Sequence, residues 1–143
     1  MPRYGRRSLA NLETADPILQ RVFFEVINHF DCSILCGHRG MDDQNRAFHE
    51  GTSEKKWPDG NHNSRPSKAV DAVPYPILWH HPDPRERAFY EKRMYMFGGF
   101  VLGIAQSMNI PLRWGADWDS DTRVNDHKFI DLPHFGLRIL RVI

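Results

Sequence analysis

After Asp16 and Pro17, apolar residues recur at helical spacing: Ile18, Val22, Phe23, Val26, Ile27 and Phe30 fall on one face and predict an amphipathic helix. Asp16 is suited to cap the free amides, and proline is tolerated at the first helical position. "CSILCG" (Cys32 to Gly37) then reads as a short strand, and "MDDQNRAFHEG" as a helix closed by Gly51, with Asp42 or Asp43 near its positive end. Residues 52–67 are polar, contain Pro58, Gly60 and Pro66, and read as a loop. "KAVDAVPY" returns to strand character until Pro74 and Pro76 end it. A long helix is expected from Pro84 to Met108, with Ala88, Met94, Phe97, Val101, Leu102, Ala105 and Met108 as its buried stripe. Gly98 and Gly99 in its middle fit close packing against a sheet. "IPLRWG" reads as a strand, "ADWDSDTRVNDHK" as a polar loop, and "FIDLPHFGLRIL" as a final pair of β segments. Helices at the front and middle with separated short strands make an α+β domain.

The chain has 143 residues and no repeat, linker or low-complexity tract, so a single domain over 1–143 with one core is expected. Hydrophobic residues at 41% and charged residues at 26% exclude a disordered chain. A formal net charge of +1 gives no bulk attraction to nucleic acid and argues against a metal-dependent nuclease. No stretch reaches the roughly 18 apolar residues of a membrane span, and the start lacks the apolar run of a secretory signal. The expectation is a monomer without stable membrane insertion that stays in the cytoplasm until something else releases it. The basic start "PRYGRR" reads as a frayed, solvated terminus. Cys32 and Cys36 lie about 13 Å apart along one strand, too far for a disulfide, and read as small core residues.

Of the eight histidines, His29, His38, His49, His80, His81 and His127 read as surface or polar-loop residues. His62, Asp71 and His134 differ, because each sits where a strand meets a loop. Asp71 stands between Val70 and Ala72, and a buried carboxylate needs a cationic partner. From spacing alone, a metal and an arginine are equally open as that partner. Two histidines and one carboxylate satisfy a zinc site that keeps an open position for water. Trp57 and Trp118, in polar loops, are candidates to line a substrate groove, whereas Trp79 and Trp114 fit the core. "DWDSDTRVND" reads as a solvated acidic loop, since its spacing departs from the regular calcium loop.

"HNSRPSKAVDAVPYP", read with "GHRGMDDQ" upstream and "DLPHFGL" downstream, resembles a family of zinc peptidases. The family includes D-alanyl-D-alanine carboxypeptidases, vancomycin-resistance D,D-peptidases and the L-alanyl-D-glutamate endopeptidases that phages use as endolysins. The resemblance runs from about Asp31 to Leu137, and "RWGADWD" (Arg113 to Asp119) is similar to the phage branch. It implies a small antiparallel sheet flanked by helices and flooring a zinc cleft, as in hedgehog and D,D-peptidase domains. By resemblance, zinc ligands fall on His62, Asp71 and His134, the acid/base carboxylate on Asp131, an active-site arginine on Arg39 and a supporting glutamine on Gln44. Read without it, Asp131 is a turn residue capped by backbone amides, and Arg39 a partner of Asp42 or Asp43. The implied reaction is amide hydrolysis in bacterial peptidoglycan, at L-alanyl-D-glutamate in preference to D-alanyl-D-alanine. The rival is a zinc-stabilised wall-binding module without catalysis. Two positions depart from the pattern: Gly60 stands where relatives commonly carry serine, and Gly136 where they often carry glutamate or glutamine.

Overall fold

The computed structural model describes residues 2–138; Met1 and residues 139–143 lie outside that range. The elements run α1 (Arg6–Glu13), α2 (Pro17–Val26), β1 (Cys32–Cys36), α3 (Met41–His49), β2 (Ala69–Pro74), α4 (Pro84–Ser107), β3 (Leu112–Trp114) and β4 (His134–Leu137). Asp16 starts α2 as its chemistry predicts, accepting the Ile18 N–H at 2.9 Å, and Asp83 starts α4 in the same way through the Arg85 N–H at 2.9 Å.

The strands form one antiparallel sheet in the order β1-β2-β4-β3. Strand alternation gives this sheet two faces with different chemistry. Val70 and Ala72 of β2, Phe135 of β4, and Leu112 and Trp114 of β3 point into the main core with Leu19, Val22, Phe23 and Val26 of α2 and Phe97 and Val101 of α4. Phe135 is the hub: its ring meets Phe23 edge-on at 5.6 Å and Phe97 at 6.0 Å and stacks on Trp114 at 6.4 Å. Full burial of such a ring is worth about 1.5–3 kcal/mol. The intervening residues, Asp71, His134 and Gly136, take the other face.

Several expectations need correction. The segment PRYGRR is not a frayed one: Tyr4 is buried and its hydroxyl donates to the Phe23 carbonyl at 2.7 Å. Helix α1 covers the open edge of β1, where Ser8 Oγ accepts the Ile34 N–H at 3.0 Å and Asn11 Nδ2 donates to the Ile34 carbonyl at 2.8 Å. The side chains thus supply the pairing that an edge strand lacks. In α2, Ile18 is exposed and Leu19 takes the buried place. In α4, Ala88 is exposed, while Tyr90 is buried and bonds the Pro74 carbonyl at 2.7 Å. Gly98 does allow close packing, since a side chain there would strike the Trp114 indole, but Gly99 has open space around it.

The expected final pair of β segments reduces to β4 among the described residues, and Ile139 and Leu140 lie outside them. Residues 129–133 do not extend into a strand: the His134 N–H turns back to the Asp131 carbonyl at 3.1 Å, and Pro133 has no N–H to give a ladder. Among the described residues, no helix is long and apolar enough to cross a membrane.

Candidate active site

Asp71 and His134 are direct partners across β2 and β4. On the other side of β2, the pairing slips by one residue between Ile34 and Cys36, so Cys36 rather than Leu35 stands opposite Asp71. Three strands therefore line up Cys36, Asp71 and His134 on the polar face of the sheet. His62 joins them from the loop between α3 and β2. Its Nε2 lies 3.1 Å from Asp71 Oδ1, and its ring centroid lies 5.2 Å from that of His134. His134 Nδ1 approaches the same Asp71 oxygen at 3.7 Å.

Proton positions decide which donors this cluster offers. His62 Nδ1 sits 2.8 Å from the Gly37 carbonyl, which can only accept, so Nδ1 carries the proton. Nε2 faces the Asp71 carboxylate through a cation on that nitrogen, a proton when no metal is bound or a metal ion in its place. Burial disfavours charge on His62, but the neighbouring Asp71 carboxylate overrides it and holds the imidazole up at about 10. Burial also opposes charge on Asp71, yet His62, His134 and Arg39 hold its carboxyl down at about 2. Burial, reinforced by the charges of His62, Arg39 and Arg113, pushes His134 down to about 4 despite Asp71, so its ring is neutral near pH 7. An ionised carboxylate, a neutral imidazole and a second imidazole that can give up its Nε2 proton are donors able to hold a metal ion. The Gly37 carbonyl fixes the orientation of the His62 ring, the kind of support that metal-ligating histidines use.

Arg39 faces this cluster and not Asp42 or Asp43: its guanidinium donates to Asp71 Oδ2 at 3.2 Å and to Gln44 Oε1 at 3.3 Å. Gln44 is buried in α3 and uses every part of its amide. Its Oε1 also accepts from Asn63 Nδ2 at 3.0 Å, while its Nε2 donates to the Lys55 carbonyl at 2.6 Å and to Ser53 Oγ at 3.0 Å. The His62 carbonyl accepts the Arg39 N–H at 2.7 Å, tying the loop to the end of β1. Gly60 has a local reason: a Cβ there would lie 2.7 Å from Asn63 Oδ1 and 2.9 Å from Gln44 Oε1. A serine would have to displace the amide that organises the loop.

Asp131 shares the cluster, since one of its oxygens lies within 4.8 Å of donor atoms of both Asp71 and His134. Burial and the Asp71 charge, only partly offset by His62 and Arg39, push its carboxyl up to about 7. "RWGADWD" explains its placement. The Gly115 carbonyl accepts the Asp131 N–H at 2.8 Å, the Trp114 indole donates to the Leu132 carbonyl at 2.7 Å, and a side chain at Gly115 would strike the Asp131 carbonyl.

A cleft of about 440 Å³ opens over these groups and is lined by Arg39, Gln44, His62, Asp131 and His134 among others. Trp118 forms one wall, its ring 5.2 Å from His134 and its indole N–H bonded to the Phe129 carbonyl at 2.9 Å. Trp57, expected beside it, does not line the cleft; its backbone N–H bonds Asn45 Oδ1 at 3.1 Å. His127, expected on the surface, is half-buried at the cleft, 3.4 Å from an Asp119 oxygen and 3.2 Å from Asp126. Cys36 is not simply core, because its sulfur lies within 4.8 Å of donor atoms of His62 and Asp71. Sequence reasoning missed Cys36, Asn61, Asn63 and Arg113. The only sequence signal for Asn63 was its place directly after His62.

Residues 1–138 match the family model of the phage L-alanyl-D-glutamate peptidases. No curated protein sequence matches the chain. Among solved structures, the chain resembles the Serratia marcescens L-Ala D-Glu endopeptidase ChiX, with a TM-score of 0.66 at 23% identity over 95% of this chain and 90% of that one.

Proposed function

The chain belongs to the phage L-alanyl-D-glutamate peptidase family, and from that premise we propose that it is a zinc-dependent endolysin whose cleft cuts the amide between L-alanine and D-glutamate in peptidoglycan. In this reading His62, Asp71 and His134 hold the zinc. When bound, zinc supplies Lewis acidity that brings the pKa of a water to about 7, and a positive charge that draws down nearby carboxyls. Asp131 accepts the proton of the attacking water and delivers it to the departing amine, which requires a carboxyl that works in both protonation states. Arg39, oriented by Gln44 and Asp71, donates to the carbonyl oxygen as it gains negative charge; removal of one such donor costs about 3 kcal/mol. Gln44 acts through Arg39 and the His62 loop, and Trp118 closes one side of the cleft. The enzyme acts as a monomer on the wall, after release from the host cytoplasm.

The observation that carries this reading is the position of Asp131, whose carboxyl lies within 4.8 Å of donor atoms of both Asp71 and His134 and faces the same cleft as Arg39. Mass spectrometry of wall peptides digested by the zinc-loaded protein tests it. New amino-terminal D-glutamyl products are expected, and Asp131→Ala should retain zinc while losing about 10²–10⁴-fold in rate. Release of D-alanine alone would move the assignment to a carboxypeptidase. Zinc binding without any cleavage would leave a binding module.

A further inference from the structure

Arg113 stands in the middle of β3, between Leu112 and Trp114, whose side chains enter the core. Alternation turns Arg113 to the polar face, where it is exposed and lines the cleft. Its direct partner on β4 is Gly136. His134 lies two residues along β4 on that same face, which makes it the diagonal neighbour of Arg113. Such neighbours are about 7–8 Å apart, a span that a long side chain covers.

Gly136 is a point of close approach on this face. A Cβ there would lie 3.3 Å from His134 Nε2 and 3.6 Å from both Asn61 Nδ2 and the Lys68 carbonyl oxygen, so the glycine lets His134 and Asn61 close down on the strand position opposite Arg113. Asn61, which also lines the cleft, adds an amide donor there. Arg39 is already committed to Asp71 and Gln44, whereas the other arginine ion pairs of the described residues use Arg46 and Arg85 and leave Arg113 unpaired. Lys55 and Lys128 also line the cleft, but both come from loops, while Arg113 is fixed on a strand. Guanidinium is the side chain best matched to a planar carboxylate.

The substrate supplies the complementary group. On the amine side of an L-alanyl-D-glutamyl bond sits a glutamyl residue with two carboxyl groups, and a peptide continues through only one. The other is a free carboxylate a few bonds from the nitrogen that leaves. We propose that Arg113, opposite Gly136 and with Asn61 beside it, binds this free carboxylate and so selects the residue on the amine side of the cut. The inference rests on the peptidase reading and adds the group that reads its substrate. A carboxylate subsite needs a cation and room for the anion; Arg113 supplies the first and the open cleft that it lines supplies the second.

The test uses the zinc-loaded full chain and two synthetic peptides that differ only in this carboxyl, one free and one amidated. Wild type should favour the free acid by about 10- to 100-fold in kcat/KM, the range of a charge-assisted hydrogen bond. Arg113→Gln should lose that preference by slowing on the acid and barely changing on the amide, with zinc content and circular dichroism intact. Arg113→Lys should recover part of it. An equal loss on both peptides, or no loss on either, would overturn the role of Arg113 while leaving the peptidase standing. Failure of wild type to cut either peptide would remove the underlying activity and this inference together.

Discussion

Gln44→Met tests whether the site is held from below. The two side chains are similar in size, so the cavity cost is small, and the change removes hydrogen bonding from a residue that is 1% exposed. Four contacts disappear: those to Asn63, Arg39, Lys55 and Ser53, at 3.0, 3.3, 2.6 and 3.0 Å. Each partner keeps another bond, as Asn63 still reaches the Arg39 carbonyl at 3.2 Å and Arg39 still reaches Asp71. The loss per contact is therefore nearer the net value of a hydrogen bond, about 0.5–1.5 kcal/mol, than the penalty for an orphaned buried group. Four such losses, offset by easier burial of a thioether, predict a destabilisation of about 2–4 kcal/mol. Urea unfolding of the metal-free protein measures it, and a chelator competition should show zinc affinity down by about 10- to 100-fold, since Gln44 orients the His62 loop. A stability change below about 0.5 kcal/mol with unchanged zinc affinity would refute the support role.

Two further outcomes follow from the same geometry. Asp16→Ala removes the α2 cap and the 2.9 Å contact to Lys68, and should cost about 1 kcal/mol at pH 7 by urea unfolding. The bond from the Ile18 N–H, then the Lys68 contact, lower the folded pKa of Asp16; the stability it gives is thus present above its unfolded value and lost as pH falls through the folded one. The gap between wild type and variant should close below about pH 4, and a gap that widens in acid would contradict the assignment. Gly115→Ala would press a methyl against the Asp131 carbonyl, so turnover should fall by at least about tenfold, for a misplaced acid/base group, with zinc content unchanged; full activity would show that Asp131 is not positioned there.

Different physics made different parts of the molecule legible in the sequence. Helices α2, α3 and α4 and strand β2 were readable because their signals are local, as with Asp16 before Pro17, the apolar stripe of Met94, Phe97 and Val101, and Asp71 interrupting an apolar run. Helix α1 was not readable: Leu12 is the one apolar residue it buries, and its docking depends on Ser8 and Asn11 meeting an edge strand distant in sequence. The candidate ligands were visible as residue types at the ends of elements, and the family resemblance assigned Asp131 its role.

The sequence by itself determined the types of α2, α3, α4 and the strands they alternate with, the α+β class and the candidate donors His62, Asp71 and His134, because caps, periodicity and donor chemistry reside in a few neighbouring positions. Only the tertiary structure decided that Cys36 faces Asp71, since a one-residue slip in strand pairing reverses which side chain points where. It also decided that Arg39 serves Asp71, that Trp57 stays off the cleft, and that Arg113 stands opposite Gly136. Those relations join residues far apart along the chain, and they exist only once the sheet has fixed its register.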